Sequence, residues 1–544
     1  MSWSDVKGRI AANWQSGVTV SLVSIPLSVS LAVASQATPV MGIITAIWAG
    51  LMAAIFGGSH YNIVGPTGAL SGLLAAYALT HGMQMLPMLA IVTGVFVLIA
   101  YVARLERFLV FVPASAIQGF TLGVAFIIGL NQLNFALGLS GLPSHETFIQ
   151  NVLESLRHIG SASSVTVLVF LGFLAALFAF VKWLPKVPGA IVLAPIGILL
   201  GYASQTGMLP LGLQTLGARY PDMSAKIFAL PTFSFDTSLI PAALGVALIA
   251  ILETMISAKI ADGMTKTKYN KRKEMLGLGI ANVASGLAGG IPATAALART
   301  SLNVKTKATH STSAAISSVS IALISLILLT YFVYIPLAVI AAILVFVAAR
   351  MVEGDVFKRF YRYDRKSFII ALLVASITVY EDPIVGLLLG TVVSLLLFME
   401  RLSRGQFDLV VNDKDRGMVK KIVSEEVVPI LAGSSDTLVY SMKGQLAYIN
   451  AESHITRFQQ GLGGYERVLL RLRELSFIDL DGVDAFNEIV EHIHGQGKVV
   501  MVSGANPIVH ALLEGSTLFR ALEDNGLVFE RTTDALRAVG YEIK

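Results

Sequence analysis

Twice in this chain a double glycine inside apolar sequence is followed by a proline and a run of small residues: Gly57-Gly58 then Pro66-Thr67-Gly68-Ala69-Leu70, and Gly289-Gly290 then Pro292-Ala293-Thr294-Ala295-Ala296-Leu297. The two runs occupy corresponding places in two hydrophobic halves. Glycine and proline interrupt a helix, and hydrocarbon cannot satisfy the backbone donors this frees, so such a break survives only where it lines a cavity. A matched pair of breaks points to a transporter's binding site. Two half-helices starting near the bilayer centre would aim their positive N-terminal ends at one spot, which suits an anion. Gly68, Ala69, Ala295 and Ala296 are small enough to let an anion approach the main chain. Thr67 and Thr294 either offer hydroxyls to that anion or cap the half-helices.

Charges at membrane depth are few, so each is informative. Glu253 sits midway through an otherwise apolar segment, where an ionisable side chain costs about 2.5 to 3.5 kcal/mol and needs a partner or a wet cavity. It either carries a coupling proton or serves as a structural counter-ion to Arg299 or Lys259. Arg299 reads as lying about two turns into a helix that begins near Pro292. There it would neutralise an anion held between the half-helix ends, unless it merely snorkels to the interface.

The elements that must position these residues are membrane segments. The chain has 544 residues, 55% hydrophobic and 14% charged, whereas soluble domains carry roughly 25% charged residues. Its mean hydropathy is +0.72. Spans of about 20 apolar residues fall near 13–34, 86–104, 164–183, 241–260, 312–334 and 383–400. Shorter or Gly/Pro-broken segments fall near 41–56, 62–79, 107–135, 187–203, 274–290, 294–304, 336–349 and 366–380. These make about fourteen segments, and an odd number in each half inverts the second half relative to the first. The expected layout is a first repeat over 1–203, an extracytoplasmic linker over 204–240, a second repeat over 241–403, a linker over 404–436 and a soluble domain over 437–544.

Orientation follows from basic residues. Arg104, Arg107, Lys182, Lys186, the cluster from Lys266 to Lys273, Lys305, Lys307 and the run from Arg350 to Lys366 fall in loops on one side, while Ser35–Val40 and Thr80–Leu86 are nearly free of them. This positive-inside pattern places the N-terminus and the C-terminal domain in the cytoplasm. The net charge of +5 is topological in this reading and no nucleic-acid footprint. Cysteine is absent, which excludes disulfides and thiol catalysis. No cleavable signal peptide is read at the N-terminus. The C-terminal domain alternates strand-like runs (437–442, 467–471, 498–502) with helical ones (450–460, 483–494), implying a small α/β sheet. His492 and His494, two apart on a helix, point to different faces and are read as surface residues rather than metal ligands.

Several runs closely resemble the SulP family, the sulfate permease or solute carrier 26 type anion transporters. They are Glu253 to Lys259 (ETMISAK), Asn282 to Gly290 (NVASGLAGG), Ile291 to Ala308 (IPATAALARTSLNVKTKA), Val23 to Leu31, Val64 to Ala69, Val112 to Gly123, Pro188-Gly189 and Ile335 to Leu344. The C-terminal part resembles that family's STAS domain. The resemblance implies a homodimer with a seven-plus-seven inverted-repeat membrane fold, in which a core domain moves as an elevator against a gate domain. Carried over by residue, the anion site would involve Pro26, Gly65 to Ala69 (with Thr67 and Gly68), Glu253 and Ser257, and Ala295 to Arg299. Many family members have Gln where this chain has Leu27. Sodium-coupled bicarbonate members offer Asp at the place of Glu253, a hydroxyl at that of Leu297 and no cation at that of Arg299, so sodium coupling is not expected. In the STAS turn Asp479-Leu480-Asp481-Gly482, Asp481 stands where anti-sigma antagonists carry a phosphorylated serine. A phospho-switch there is chemically excluded, and the domain is expected to support dimerisation or dock a cytoplasmic partner.

The leading reading is a secondary transporter of small inorganic or organic anions in the inner (plasma) membrane. Sulfate stands first, then bicarbonate, with dicarboxylate or chloride as alternatives, moved by proton symport or exchange without cofactor or metal. Gly461 to Gly464 lacks the Lys-Ser/Thr of a P-loop, and no nucleophile–base pair suggests an enzyme. A nucleobase permease of the same fold would use Glu253, but Arg299 and the STAS tail argue against it. A membrane-anchored STAS sensor is the alternative of another class.

Overall fold

Apolar runs fold as helices here because a segment in hydrocarbon must satisfy its own backbone hydrogen bonds. The computed structural model describes residues 3–142, 148–184, 189–220, 227–231, 236–381, 383–413, 417–421, 437–459 and 465–540. Lys186, Pro188, Gly461 to Gly464 and residues 422–436 lie outside these. The first half comprises α1 (Trp3–Ala34), α2 (Pro39–Phe56), β1 (Val64–Gly65), α3 (Gly68–His81), α4 (Leu86–Val102), α5 (Ala114–Leu130), α6 (Ser164–Trp183) and α7 (Gly189–Gln205). The second half repeats the order with α8 (Leu239–Thr265), α9 (Lys271–Leu287), β2 (Thr294–Ala295), α10 (Leu297–Lys305), α11 (Thr312–Leu328), α12 (Leu337–Met351), α13 (Arg365–Tyr380) and α14 (Pro383–Ser403). Nine helices among the described residues are long and apolar enough to cross a membrane. With the shorter and broken segments they complete a polytopic α-helical fold of seven plus seven, in which α3 and α10 are the half-helices.

The two breaks meet. β1 and β2 pair antiparallel, Val64 opposite Ala295 and Gly65 opposite Thr294, so each supplies the hydrogen-bonding partner that hydrocarbon would deny the other. Gly289, with φ +88°, makes the left-handed turn that ends α9 and admits the second break, a conformation L side chains rarely adopt.

Two expectations from sequence are corrected here. α10 starts at Leu297, not near Pro292, because residues 292–296 are extended and β2 lies among them; Arg299 is therefore in the first turn of its helix. The expected 404–436 linker holds β3 (Gln406–Asp413) and β4 (Gly417–Lys421), whose short apolar core is flanked by charges and reads as linker by composition.

The chain forms two compact units that meet in sequence at Ser394/Leu395. The second unit is built on β3, β4, β5 (Thr437–Leu446), β6 (Arg467–Ile478), β7 (Val499–Ser503) and β8 (Val528–Phe529), in spatial order β4-β3-β5-β6-β7-β8. β5 through β8 are parallel, and the antiparallel strand β3 extends the sheet beside β5. The helices are α15 (Ala451–Gln459), α16 (Leu480–Gly495), α17 (Pro507–Leu513), α18 (Thr517–Asp524) and α19 (Thr532–Ala538). The main core joins Leu438, Tyr440, Leu470, Phe486, Ile489 and Phe519. Asp481 is exposed in the first turn of α16, where its charge suits the helix dipole. Asp479 caps that helix by accepting from Gly482 N at 2.8 Å.

Candidate anion site

Neither half-helix start carries a side-chain cap: Thr67 before α3 and Ala296 before α10 accept no capping hydrogen bond. The first N–H groups of a helix have no partner within it, so both starts keep backbone donors available. Buried polar side chains hold the segments leading to these starts in place. On the first break, Glu274 accepts from the N–H groups of Gly58 and Ser59, each at 2.7 Å, and from Asn62 Nδ2 at 2.6 Å. On the second, Thr45 Oγ1 accepts from Ile291 N at 2.7 Å and Asn282 brackets Ala293, accepting from its N–H at 2.8 Å and donating to its carbonyl at 3.0 Å.

A cavity of about 690 Å³ lies beside this arrangement. It is lined by Leu27 of α1, Glu253 and Ser257 of α8, and Ala295, Leu297 and Ser301 of the second break, together with Gln118 and Thr121 of α5, Phe346 and Arg350 of α12, and Leu387 of α14. Lys305, Arg350 and Glu353 line it too, and all three lie at ends of segments on the side rich in basic loops. A separate cavity of about 560 Å³ includes Gln36, Gln132, Arg219 and Leu337 in its lining. Since α12 runs from Leu337 to Met351, the two cavities open near opposite ends of that helix.

Of the residues singled out from sequence, Glu253, Ser257 and Ala295 line the larger cavity. Pro26, Gly65, Thr67, Gly68, Ala69, Thr294, Ala296 and Arg299 do not. Thr67 Oγ1 donates to Glu253 Oε2 at 3.1 Å, so the first break grips the carboxylate directly. Thr294 is spent internally, donating to Ala250 O at 3.0 Å and sharing a 2.9 Å hydrogen bond with Thr254. Ser257 Oγ donates to Thr300 Oγ1 at 2.9 Å.

Arg299 is 2% exposed. A helical side chain tilts toward the N-terminus of its helix, and from the first turn of α10 this carries the guanidinium back past the helix start. It donates to the Pro66 carbonyl and, at 3.5 Å, to Ser28 Oγ of α1. A Cβ at Gly65 would come within 2.9 Å of Nη1, so glycine lets β1 approach this cation without displacing the guanidinium. Arg299 and Glu253 therefore have different hydrogen-bond partners, yet the two opposite charges lie near enough to attract each other. Lys259, the other proposed partner of Glu253, is exposed.

Gln118, Thr121 and Ser301 were missed from sequence. Gln118 Oε1 is buried without a hydrogen-bond partner, a signal that only the structure supplies, because nothing in the spacing of α5 links it to the breaks. Among the described residues no cluster of His, Cys, Asp or Glu suits a metal. His492 contacts Gln496, the residue that follows its helix, at 2.9 Å.

Comparison with known proteins covers both units. A profile of the sulfate permease family matches residues 10–374 and one of the STAS domain matches residues 429–535. YvdB of Bacillus subtilis (strain 168), provisionally named a sulfate transporter, is 31% identical over 93% of this chain and 93% of its own length. A bicarbonate transporter, BicA, of a Picosynechococcus species is 23% identical over 96% of this chain and 94% of its own. Among solved structures, the anion transporter Slc26a9 of mouse, described in an inward-facing state, superposes with a TM-score of 0.80 at 14% identity, covering 97% of this chain and 91% of that one. The transmembrane domain of a cyanobacterial BicA gives 0.59 at 22% identity, covering 70% and 97%.

Proposed function

The chain belongs to the sulfate permease family, a family of membrane transporters rather than enzymes, and from that premise we propose that it carries a small oxyanion, sulfate first and bicarbonate next, by proton symport or anion exchange. The observation that carries this reading is the convergence of two uncapped half-helix starts, tied together as β1–β2, on a buried and permanently charged arginine. Helix starts and a guanidinium create a positive potential that does not need to reorganise when an anion arrives, and burial in a low dielectric strengthens it.

In this reading the anion enters the cavity beside Ala295 and Ser301 and is held by the free backbone donors at the start of α10, Leu297 and Ala298, which line it, with the positive end of α3 behind them. Arg299 acts as a fixed charge behind the site instead of a direct ligand. Glu253 is the coupling group: with its carboxylate facing the cavity and Thr67 donating to it, it can take a proton when an anion enters. The lining divides into segments at or beside the second break (α1, α8, α10) and a second group (α5, α12, α14). That division suits an elevator in which the first slides against the second. The basic loops put the cavity mouth at Lys305 and Arg350, and the STAS domain, in the cytoplasm, with the protein in the inner membrane as a homodimer.

The test is uptake by purified protein in liposomes, with sulfate, bicarbonate, chloride and a dicarboxylate compared under imposed proton and sodium gradients. Saturable uptake of one oxyanion, faster with an inward proton gradient and indifferent to sodium, is expected. Absence of any accumulation would favour a sensor with a silent core, and uptake of a neutral nucleobase would favour the permease alternative.

A further inference from the structure

The cavity of about 560 Å³, at the face opposite the basic loops, lies in line with the anion site. Three helices, α1, α5 and α12, contribute to both cavities. On each, the nearest lining residues are six positions apart (Leu27 and Val33, Thr121 and Ile127, Ile343 and Leu337), about 9 Å of helix. The intervening turns hold Val29, Val124 and Ile340, all buried. The two cavities are thus the ends of one path, separated by a short apolar layer.

The smaller cavity offers a cation on a face that has few. Arg219 and Glu381 are the charged residues in its described lining. Arg219 ends the short helix Leu216–Arg219, and among the described residues no carboxylate forms an ion pair with it. Arg157, on the helix Phe148–Arg157 that also lines this cavity, is paired with Glu154 at 3.9 Å. Membrane proteins deplete Lys and Arg on the face away from the cytoplasm, so topology does not account for Arg219. Its guanidinium carbon lies 5.0 Å from the centre of the Phe135 ring and 5.9 Å from that of Tyr220. Rings support the flat face of a guanidinium and leave its N–H edge for polar partners. Of its five N–H donors, one goes to Gln36 Oε1 at 3.2 Å. Gln36 follows α1 with φ +55°, where glycine is the usual choice; here a carboxamide stands instead and holds the cation. Gln132, also in the lining, is 2% exposed: its Nε2 donates to Ile128 O at 3.2 Å, while its Oε1 has no partner. A buried acceptor left unpaired is costly, and an anion arriving with a water of hydration supplies the missing hydrogen.

We infer that Arg219 is the recognition charge of a second, extracytoplasmic anion site, which captures the transported oxyanion before it reaches the breaks. A cation in a walled mouth raises the local concentration of anions, and Arg219 offers one the N–H groups that Gln36 leaves open. This inference rests on the transport reading above.

The test is exchange of labelled sulfate, and in parallel labelled bicarbonate, by membrane vesicles preloaded with the same unlabelled anion. Right-side-out vesicles present the extracytoplasmic face and inside-out vesicles the cytoplasmic one. Arg219→Gln is expected to raise KM about tenfold in right-side-out vesicles, the effect of losing one charge-assisted hydrogen bond. KM in inside-out vesicles and the maximal exchange rate should not change, and Arg219→Lys should lie between Gln and wild type. An unchanged KM at the extracytoplasmic face would overturn the site. A shift at both faces, or a fall in maximal rate, would make Arg219 a structural tie to Gln36 and overturn the site equally. Wild-type vesicles that exchange neither anion would overturn the transport reading and this site with it, an outcome distinct from wild-type exchange to which Arg219→Gln is indifferent.

Discussion

Arg299 and Glu253 differ in how the structure treats their charge. Arg299 is enclosed, its guanidinium committed to the Pro66 carbonyl and Ser28, while Glu253 faces the cavity with one hydrogen bond, from Thr67. Arg299→Ala should therefore remove a fixed positive charge and also orphan a buried carbonyl. Bonds to charged groups are worth about 1.5 to 3 kcal/mol, so anion binding should fall roughly 10- to 100-fold. Lysine should rescue only part of this because it lacks the planar fork. Equilibrium binding to the solubilised variant measures it, and wild-type affinity would remove Arg299 from the site. Glu253→Gln keeps the shape but cannot ionise. Net uptake driven by a proton gradient should then be lost while anion exchange persists, and uptake that still follows the gradient would transfer the coupling role elsewhere. Rarity of charge in apolar sequence made both residues legible. Their geometry was not, because Arg299's direction depends on α10 starting at Leu297, a boundary obscured by residues that are apolar yet extended.

At the scale of elements, matched Gly-Gly and Pro runs identified both half-helices, yet the β1–β2 pairing left no trace in the sequence, since two residues per strand are too few to show a period. What fixes the breaks is equally hidden: Glu274 looks like an ordinary first-turn acid of α9, but it is buried and accepts three hydrogen bonds from the 58–62 segment. Glu274→Gln should weaken these bonds and leave one amide hydrogen facing the backbone donors it displaced. The expected cost is about 1 to 3 kcal/mol, seen as a lower melting temperature with weaker anion binding. Unchanged stability and binding would show that the first break is held by β1–β2 alone. In the second unit, α15 presses His454 onto β5, where it shares a 2.8 Å hydrogen bond with Tyr440. Burial, aided by the Arg457 charge, holds His454 down at about 3, against an ordinary value of 6.5. Below pH 6.5 the unfolded chain gains a proton that the folded unit refuses. Stability should therefore fall as pH drops from about 6.5 toward 3, by up to about 1.4 kcal/mol per pH unit from this group. Hydrogen exchange at Leu470 against pH measures the slope, and His454→Gln should flatten it. An equal slope in that variant would assign the effect to other groups.

For the whole molecule, the hydropathy pattern gave the order of all fourteen segments because each must bury its own backbone, a constraint that composition cannot conceal. The junction between units was less legible: β3 starts at Gln406, only two residues after Arg404, where composition suggested a linker. That placement decides where the chain can be cut. Ending it at Asp413 would strand β3, whose partners β4 and β5 would be gone, leaving a strand edge prone to aggregation. Ending it after Ser403 keeps α14 whole and removes the entire sheet. Every residue lining the 690 Å³ cavity, both breaks, Arg299 and Glu274 lie before that cut, and none of the hydrogen bonds that hold them is made by a residue beyond Ser403. A chain ending at Ser403 is thus expected to insert and to bind its anion with unchanged affinity, while transport rate or dimer stability changes. Anion titration of the truncated protein beside its oligomeric state measures this, with circular dichroism confirming its helical fold. Loss of binding by a folded truncation would mean that the C-terminal unit helps build the anion site.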